Sequence, residues 1–473
     1  MTVKPTRTPP RPRLVVRTGA VALTGLLLAG GLAATAHADQ WRDDQYWLEE
    51  YGFTEAWETT EGEGITIAVI DTGVDSSHPD LTEQFAGGTD VSTLGASDGT
   101  QPLGVDPDHG TMVASLIAGH GNNLEEIAKA EEFNEELARA EEEAEDEDED
   151  SDDDADESPS PSPTPRDVPD PGPGDHGILG VAPAAQLLSV SVYLGDDPAA
   201  PTPEEQIPQA VKWAVDNGAD VINISLSSSA QDWPLSWDEA FLYAEENDVV
   251  VVAAAGNRGS GTMTVGAPAT IPGVLTVAGL DQNGAASWDS STEGITIGVA
   301  APADPLVGAL PDGGYRRWAG TSGAAPIVAG LAALIRSEYP DMPAHQVIHR
   351  ILETAHDAGD AGIDPVYGHG IIDAAAAVNA DVATVDRNPM DSISEWIRVH
   401  RRAEVEPPET SNSPVPPSAS PDTSVPTEVP VAADVTDPRA GIQPAVLFSA
   451  GGLALVLAVV ALVLLLRSRR TTS

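Results

Sequence analysis

The chain has 473 residues, too many for one ordinary domain and enough for two or three. Its 23 Lys and Arg stand against 75 Asp and Glu, a formal net charge of −52, which argues against any phosphate-coating, nucleic-acid-binding role, because that binding needs clustered cations to displace counterions. Cysteine is absent, so disulfides, thiolate metal sites and a cysteine nucleophile are excluded.

At the N-terminus, Lys4, Arg7, Arg11, Arg13 and Arg17 precede an apolar run from Ala20 to Ala34 and then Ala36-His37-Ala38. This is the basic, apolar and small-x-small order of a secretory signal peptide over 1–38, with cleavage expected after Ala38. The apolar run is shorter than an uncleaved anchor needs. Residues 39–63 are too few for a folded propeptide. They carry Trp41, Tyr46, Trp47, Tyr51, Phe53 and Trp57, aromatics suited to fastening an extension to a larger body.

In the body, 64–380, the runs Ile65–Ile70, Val221–Leu226, Val249–Ala255 and Val274–Ala278 are apolar on both faces. Such runs predict strands covered on both sides, the habit of parallel sheets. Glu204–Gly218 places Ile207, Val211, Ala214 and Val215 on one helical face, and Asp238–Asn247 reads as a shorter crossover helix. The expected fold is α/β: a doubly wound, mostly parallel sheet with helices on both faces and active residues at its carboxyl edge.

An acidic insert interrupts this body over about 124–176, where 23 acidic residues face 3 basic ones. Its first part, 124–145, reads as an exposed helix with a thin apolar stripe, and 140–175 as disordered, since like charges repel and little can be buried. Past the body, 381–403 holds Ile393, Trp396, Ile397 and Val399, a short amphipathic segment. Residues 404–444 contain ten prolines and predict an extended stalk. Ala445 to Leu466 is 22 residues without a charge, roughly 33 Å as a helix and enough to span a bilayer. Arg467, Arg469 and Arg470 begin the 467–473 tail and place it in the cytoplasm by the positive-inside bias. The expected address is the cell membrane: one C-terminal transmembrane helix, with the body outside.

Four fragments at strand ends and helix starts carry candidate chemistry. They are Asp71-Thr72-Gly73, Asp108-His109-Gly110-Thr111, Gly256-Asn257 and Gly320-Thr321-Ser322-Gly323-Ala324-Ala325-Pro326. Singly, each has an ordinary reading as a cap or turn. In the order Asp, His, Asn, Ser, each beside a glycine, they point to nucleophilic catalysis.

On these residues the chain from about 64 to 380 resembles the subtilisin family of serine proteases. Val69 through Leu81, Gly180-Val181-Ala182-Pro183, Val221 to Leu226, Ala253 to Asn257 and Tyr367-Gly368-His369-Gly370 also fit. In the serine motif, Gly323 and Ile327 replace the Met and His most often found. A serine hydroxyl needs a base within reach. The resemblance makes Ser322 the nucleophile, His109 the base, Asp71 its orienting carboxylate and Asn257 an oxyanion donor. It also implies a substrate pocket walled by Ser225, Leu226, Ser227, Ala253 and Gly256. Ser227 stands where glycine is usual, which narrows the expected cleft.

No cofactor is required by this chemistry. Calcium remains open, because relatives often place a ligand in the loop holding Asp75 and Asp80, whereas here the insert interrupts the rest of that site. His78, His120, His176 and His369 lack metal-ligand spacing and read as surface or turn residues. The order of signal peptide, short extension, protease, Pro-rich stalk and membrane helix resembles the mycosins, membrane-anchored subtilisin-like proteases that accompany type VII secretion. That likeness implies peptide or protein substrates and membrane proteins of a secretion machine as partners, although mycosins commonly carry cysteines. The contrasting class is a protease-shaped, non-catalytic scaffold of a membrane complex.

Overall fold

The structure, a computed structural model, describes residues 40–149 and 163–401, with backbone alone for 143–149. The expected signal peptide, stalk, membrane helix and tail lie outside the described residues. Among the described residues no helix is long and apolar enough to cross a membrane.

Three one-turn helices open the described chain: α1 (Gln40–Asp43), α2 (Trp47–Glu50) and α3 (Phe53–Ala56). There follow β1 (Thr66–Asp71), β2 (Phe85–Asp90), α4 (His109–Ala118), β3 (His120–Asn122), α5 (Leu124–Glu149), β4 (His176–Leu179), β5 (Gln186–Ser191), α6 (Pro203–Asp216) and β6 (Val221–Ile224). Next come α7 (Leu235–Glu246), β7 (Val250–Ala254), β8 (Leu275–Asp281), β9 (Ile297–Asp304), β10 (Leu306–Ala309) and β11 (Tyr315–Trp318). The last helices are α8 (Thr321–Glu338), α9 (Ala344–Glu353), α10 (Ala374–Asn379) and α11 (Ile393–His400). Seven strands form one sheet in the order β2-β5-β1-β6-β7-β8-β9, and every pairing in it is parallel.

The apolar runs become the middle of this sheet. Strands β6 and β7 are buried at every position, which continuous apolar sequence permits and alternating sequence would not. Helix α6 starts where expected because Thr202 and Glu205 form a reciprocal capping box ahead of it. Helix α8 is buried along nearly its whole length. Its Ala and Gly residues let strands and neighbouring helices pack closely around it.

The N-terminal extension is bolted to the body. Trp47 and Phe53 are completely buried. The Trp57 indole N–H donates to the Val181 carbonyl at 2.9 Å, and the Gln45 amide pairs with both backbone groups of Leu179 at 2.7 and 2.9 Å. Arg42 donates to the carbonyls of Gly174, His176 and Gly177. At the other end, α11 packs Trp396 on Trp233 with ring centroids 4.6 Å apart, and Arg401 pairs with Asp238 at 2.7 Å.

The insert corrects one expectation. Residues 140–149 continue α5, and 163–175 form an extended return rather than a disordered run. The return is held by specific contacts that composition does not reveal. Asn134 exchanges two 2.8 Å hydrogen bonds with the backbone of Arg166, whose guanidinium lies 4.1 Å above the Phe133 ring. Asn123 clasps the backbone of Asp170 and Gly172 at 2.8–2.9 Å.

Candidate active site

Because β1, β6 and β7 are parallel neighbours, Asp71, Ser225 and Asn257 emerge along one edge of the sheet. Asp71 is fully buried. Its Oδ1 accepts from the Thr72 backbone N–H at 2.7 Å and meets His109 Nδ1 at 2.8 Å. Thr72 Oγ1 also accepts from Gly110 N–H at 3.2 Å, so one residue beside Asp71 fixes both the carboxylate and the start of the helix bearing His109. Desolvation pulls the His109 pKa down, but the charge of Asp71 and its hydrogen bond outweigh this, holding the imidazole above its ordinary value.

The hairpin of β10 and β11 forms the next wall. Trp318 stands edge-on to the His109 ring, centroids 5.7 Å apart, and Arg316 donates to the Asp108 carboxylate at 2.8 Å. Trp318 also explains a departure in the serine motif. A Cβ on Gly323 would collide with Leu306 and come within 3.2 Å of the Trp318 ring, so the space a methionine would fill is already occupied.

Ser322 lies in the first turn of α8, at the positive end of the helix dipole. Its hydroxyl donates to the Ser225 carbonyl at 2.9 Å. The hydrogen bond to His109 that the sequence leads one to expect is therefore not made in this state, because a backbone acceptor at the end of β6 competes for the same proton. Asn257 is oriented by Thr321: its Oδ1 accepts from the Thr321 N–H at 2.8 Å and from the Thr321 hydroxyl at 2.9 Å. That leaves Nδ2 as the free donor end. Gly320 is required beside it, because its φ is +150° and a Cβ there would stand 2.9 Å from Asn257 Nδ2.

Of the expected pocket residues, Leu226 is half-buried and Ser227 exposed, while Ser225 and Gly256 are buried and Ala253 belongs to the hydrophobic core. Ser227 Oγ lies 3.1 Å from where a Cβ on Gly256 would stand, so these two face each other closely.

Asp80 and Asp75, the two loop residues of the calcium expectation, are both held by hydrogen-bond donors. Asp80 is buried and accepts from the Asn122 amide at 2.6 Å, the Ile178 N–H at 2.7 Å and the Tyr315 hydroxyl at 3.1 Å. N–H groups repel a cation rather than ligate it. Burial pushes the Asp80 carboxyl up despite those donors. Asp75 is likewise engaged, by Ser77 and by the Asp312 N–H. His78 lies in the turns of this loop, one of its two expected settings, but is buried, accepting from Asp80 N–H and bonded to the Gly314 carbonyl, each at 3.2 Å. Its ring stands edge-on to Tyr315, centroids 5.4 Å apart, a contact that a motif match alone does not disclose.

The subtilase family model matches residues 62–370. This chain belongs to that family. Among curated relatives, fervidolysin of Fervidobacterium pennivorans is 28% identical over 386 residues, covering 75% of this chain and 46% of that protein. Subtilisin E of Bacillus subtilis (strain 168) is 32% identical over 319 residues, covering 67% of this subtilase and 66% of its relative. The chain thus spans about half of the first and under two thirds of the second. Among solved structures, the MycP3 protease from the type VII (ESX-3) secretion system superposes with a TM-score of 0.51 at 29% identity, over 71% of this chain and 88% of that one.

Thr72, Trp318, Thr321 and Asn223 were not among the sequence candidates for this subtilase site.

Proposed function

We propose that this chain is a serine endopeptidase that cleaves peptide bonds through an acyl-enzyme on Ser322. The observation that carries the reading is the buried Asp71–His109 pair at 2.8 Å, with Trp318 standing both against the His109 ring and beside Gly323, the residue that follows Ser322. Asp71 fixes the tautomer, so the far ring nitrogen of His109 is the acceptor. A turn of the Ser322 hydroxyl away from Ser225 hands its proton to that nitrogen as Oγ bonds to the scissile carbonyl carbon. Asn257 Nδ2 and the Ser322 N–H hold the oxyanion. The imidazolium then protonates the leaving amine, and water repeats the sequence to release the acid.

The finer setting is extracytoplasmic and membrane-anchored, supported by the sequence patterns at 1–38 and 445–466. Partnership with a type VII secretion machine is supported by the likeness to MycP3 together with that order of segments. The net acidity of the body, which remains when the insert is set aside, would steer substrates with basic residues toward the cleft. A peptide library cleaved equally for acidic and basic sequences at low and high salt refutes the steering.

The test of the main reading is labelling by a fluorophosphonate probe. Wild type should label at Ser322 and hydrolyse peptides, and Ser322→Ala should do neither while remaining folded. Hydrolysis that survives in Ser322→Ala ends the assignment. A wild type that neither labels nor hydrolyses favours the non-catalytic scaffold.

A further inference from the structure

Helix α8 contains a defect at the residue that matters most. A helical carbonyl ordinarily accepts from the N–H four residues ahead, and four residues ahead of Ser322 is Pro326, which has no N–H to give. The Ser322 carbonyl instead accepts from the Ser225 hydroxyl at 2.9 Å. In the reverse direction, the Ser225 carbonyl accepts from the Ser322 hydroxyl, also at 2.9 Å. Two opposed hydrogen bonds thus clamp the end of β6 to the first turn of α8.

A hydroxyl has one proton, so its direction must be set by something else. Asn223, fully buried in β6, donates its amide to Ser225 Oγ at 2.9 Å. An amide N–H only donates, so Ser225 is left to spend its own proton on Ser322. Among the described residues the Asn223 Oδ1 has no partner. Burying an amide unsatisfied is unfavourable, and the bond this side chain does make leads to Ser322.

We propose that Asn223 and Ser225 are a positioning pair: Asn223 orients the Ser225 hydroxyl, which supplies the hydrogen bond that Pro326 denies Ser322 and so aims both the nucleophile and its oxyanion-holding N–H. The pair touches no reacting atom through its side chains. Its effect falls on kcat rather than KM, since it governs groups that act on the transition state. This rests on Ser322 being the nucleophile.

The experiment uses the full chain, with active sites titrated by the fluorophosphonate and turnover followed on a quenched-fluorescent peptide. Asn223→Ala and Ser225→Ala should each lower kcat and the labelling rate about tenfold, with KM within about twofold. The double variant should be no worse than Ser225→Ala, because the two act in series. Ser225→Thr, which keeps the hydroxyl, should recover most of the loss. Pro326→Ala restores a helical donor, so adding it to Ser225→Ala should recover activity, and this arm needs no change at Asn223. An unchanged kcat in folded Asn223→Ala, losses that multiply in the double variant, or no recovery through Pro326→Ala would each overturn the proposal while an active wild type leaves the protease reading standing. A wild type that neither labels nor turns over would overturn that reading and this one together.

Discussion

Asp71 and Asp80 lie nine residues apart, both fully buried and both accepting hydrogen bonds from named donors. In the insert, Glu131, Glu132, Glu135 and Glu136 follow one another along α5 with their carboxylates in water. Here the same chemical group obeys two regimes. Where a carboxylate is desolvated, its neighbours are fixed around it and its loss strands them. Where it is solvated, it is interchangeable with others of its kind.

The sharpest way to break this comparison is Asp71→Asn. The amide favours the wrong imidazole tautomer, and kcat should fall by about 10⁴-fold with the fold retained by circular dichroism. Next is Asp80→Ala, which leaves the Asn122 amide, the Ile178 N–H and the Tyr315 hydroxyl without their acceptor. A loss of about 2–4 kcal/mol is expected, read as a fall in the urea midpoint. Acidity tests the same pair more gently. His109 is raised above its ordinary pKa and works as a base only when neutral, so kcat/KM should fall as pH drops through a value above about 6.5. With Asp71→Asn the residual activity should shift its acid limb to lower pH. The smallest effect belongs to the insert: replacing 127–168 with a short Gly/Ser turn should leave kcat/KM within about twofold and the urea midpoint nearly unchanged. A large loss there would erase the distinction between the two regions.

Legibility in the sequence followed the same divide. Strands β1, β6, β7 and β8 were readable because their apolar runs are continuous. Strand β5, although it lies beside β1, was missed: Ser189 and Ser191 break its apolar run, and both hydroxyls are buried against Gly99 and Asp90. Strand β2, with consecutive glycines at Gly87-Gly88, and β9, rich in Ala and Gly with a proline, gave no strand pattern either. The residues of the proposed triad and Asn257 stood out because their motifs combine a polar group with glycine at an element boundary. Their supports did not. Trp318 reaches His109 only once the hairpin folds, and Asn223 looks from the sequence like one polar interruption in a strand. The contacts of Asn134 and Asn123 that order 163–175 are likewise invisible to composition, which saw only acid and proline.

Strands β3 and β4 pair antiparallel at the base of the insert, and Asn123 fastens its two stems together. The chain therefore leaves and re-enters the body through a closed collar. Foreign sequence of almost any length could be spliced above that collar without disturbing the sheet, which makes this loop a ready port for a reporter or an affinity handle.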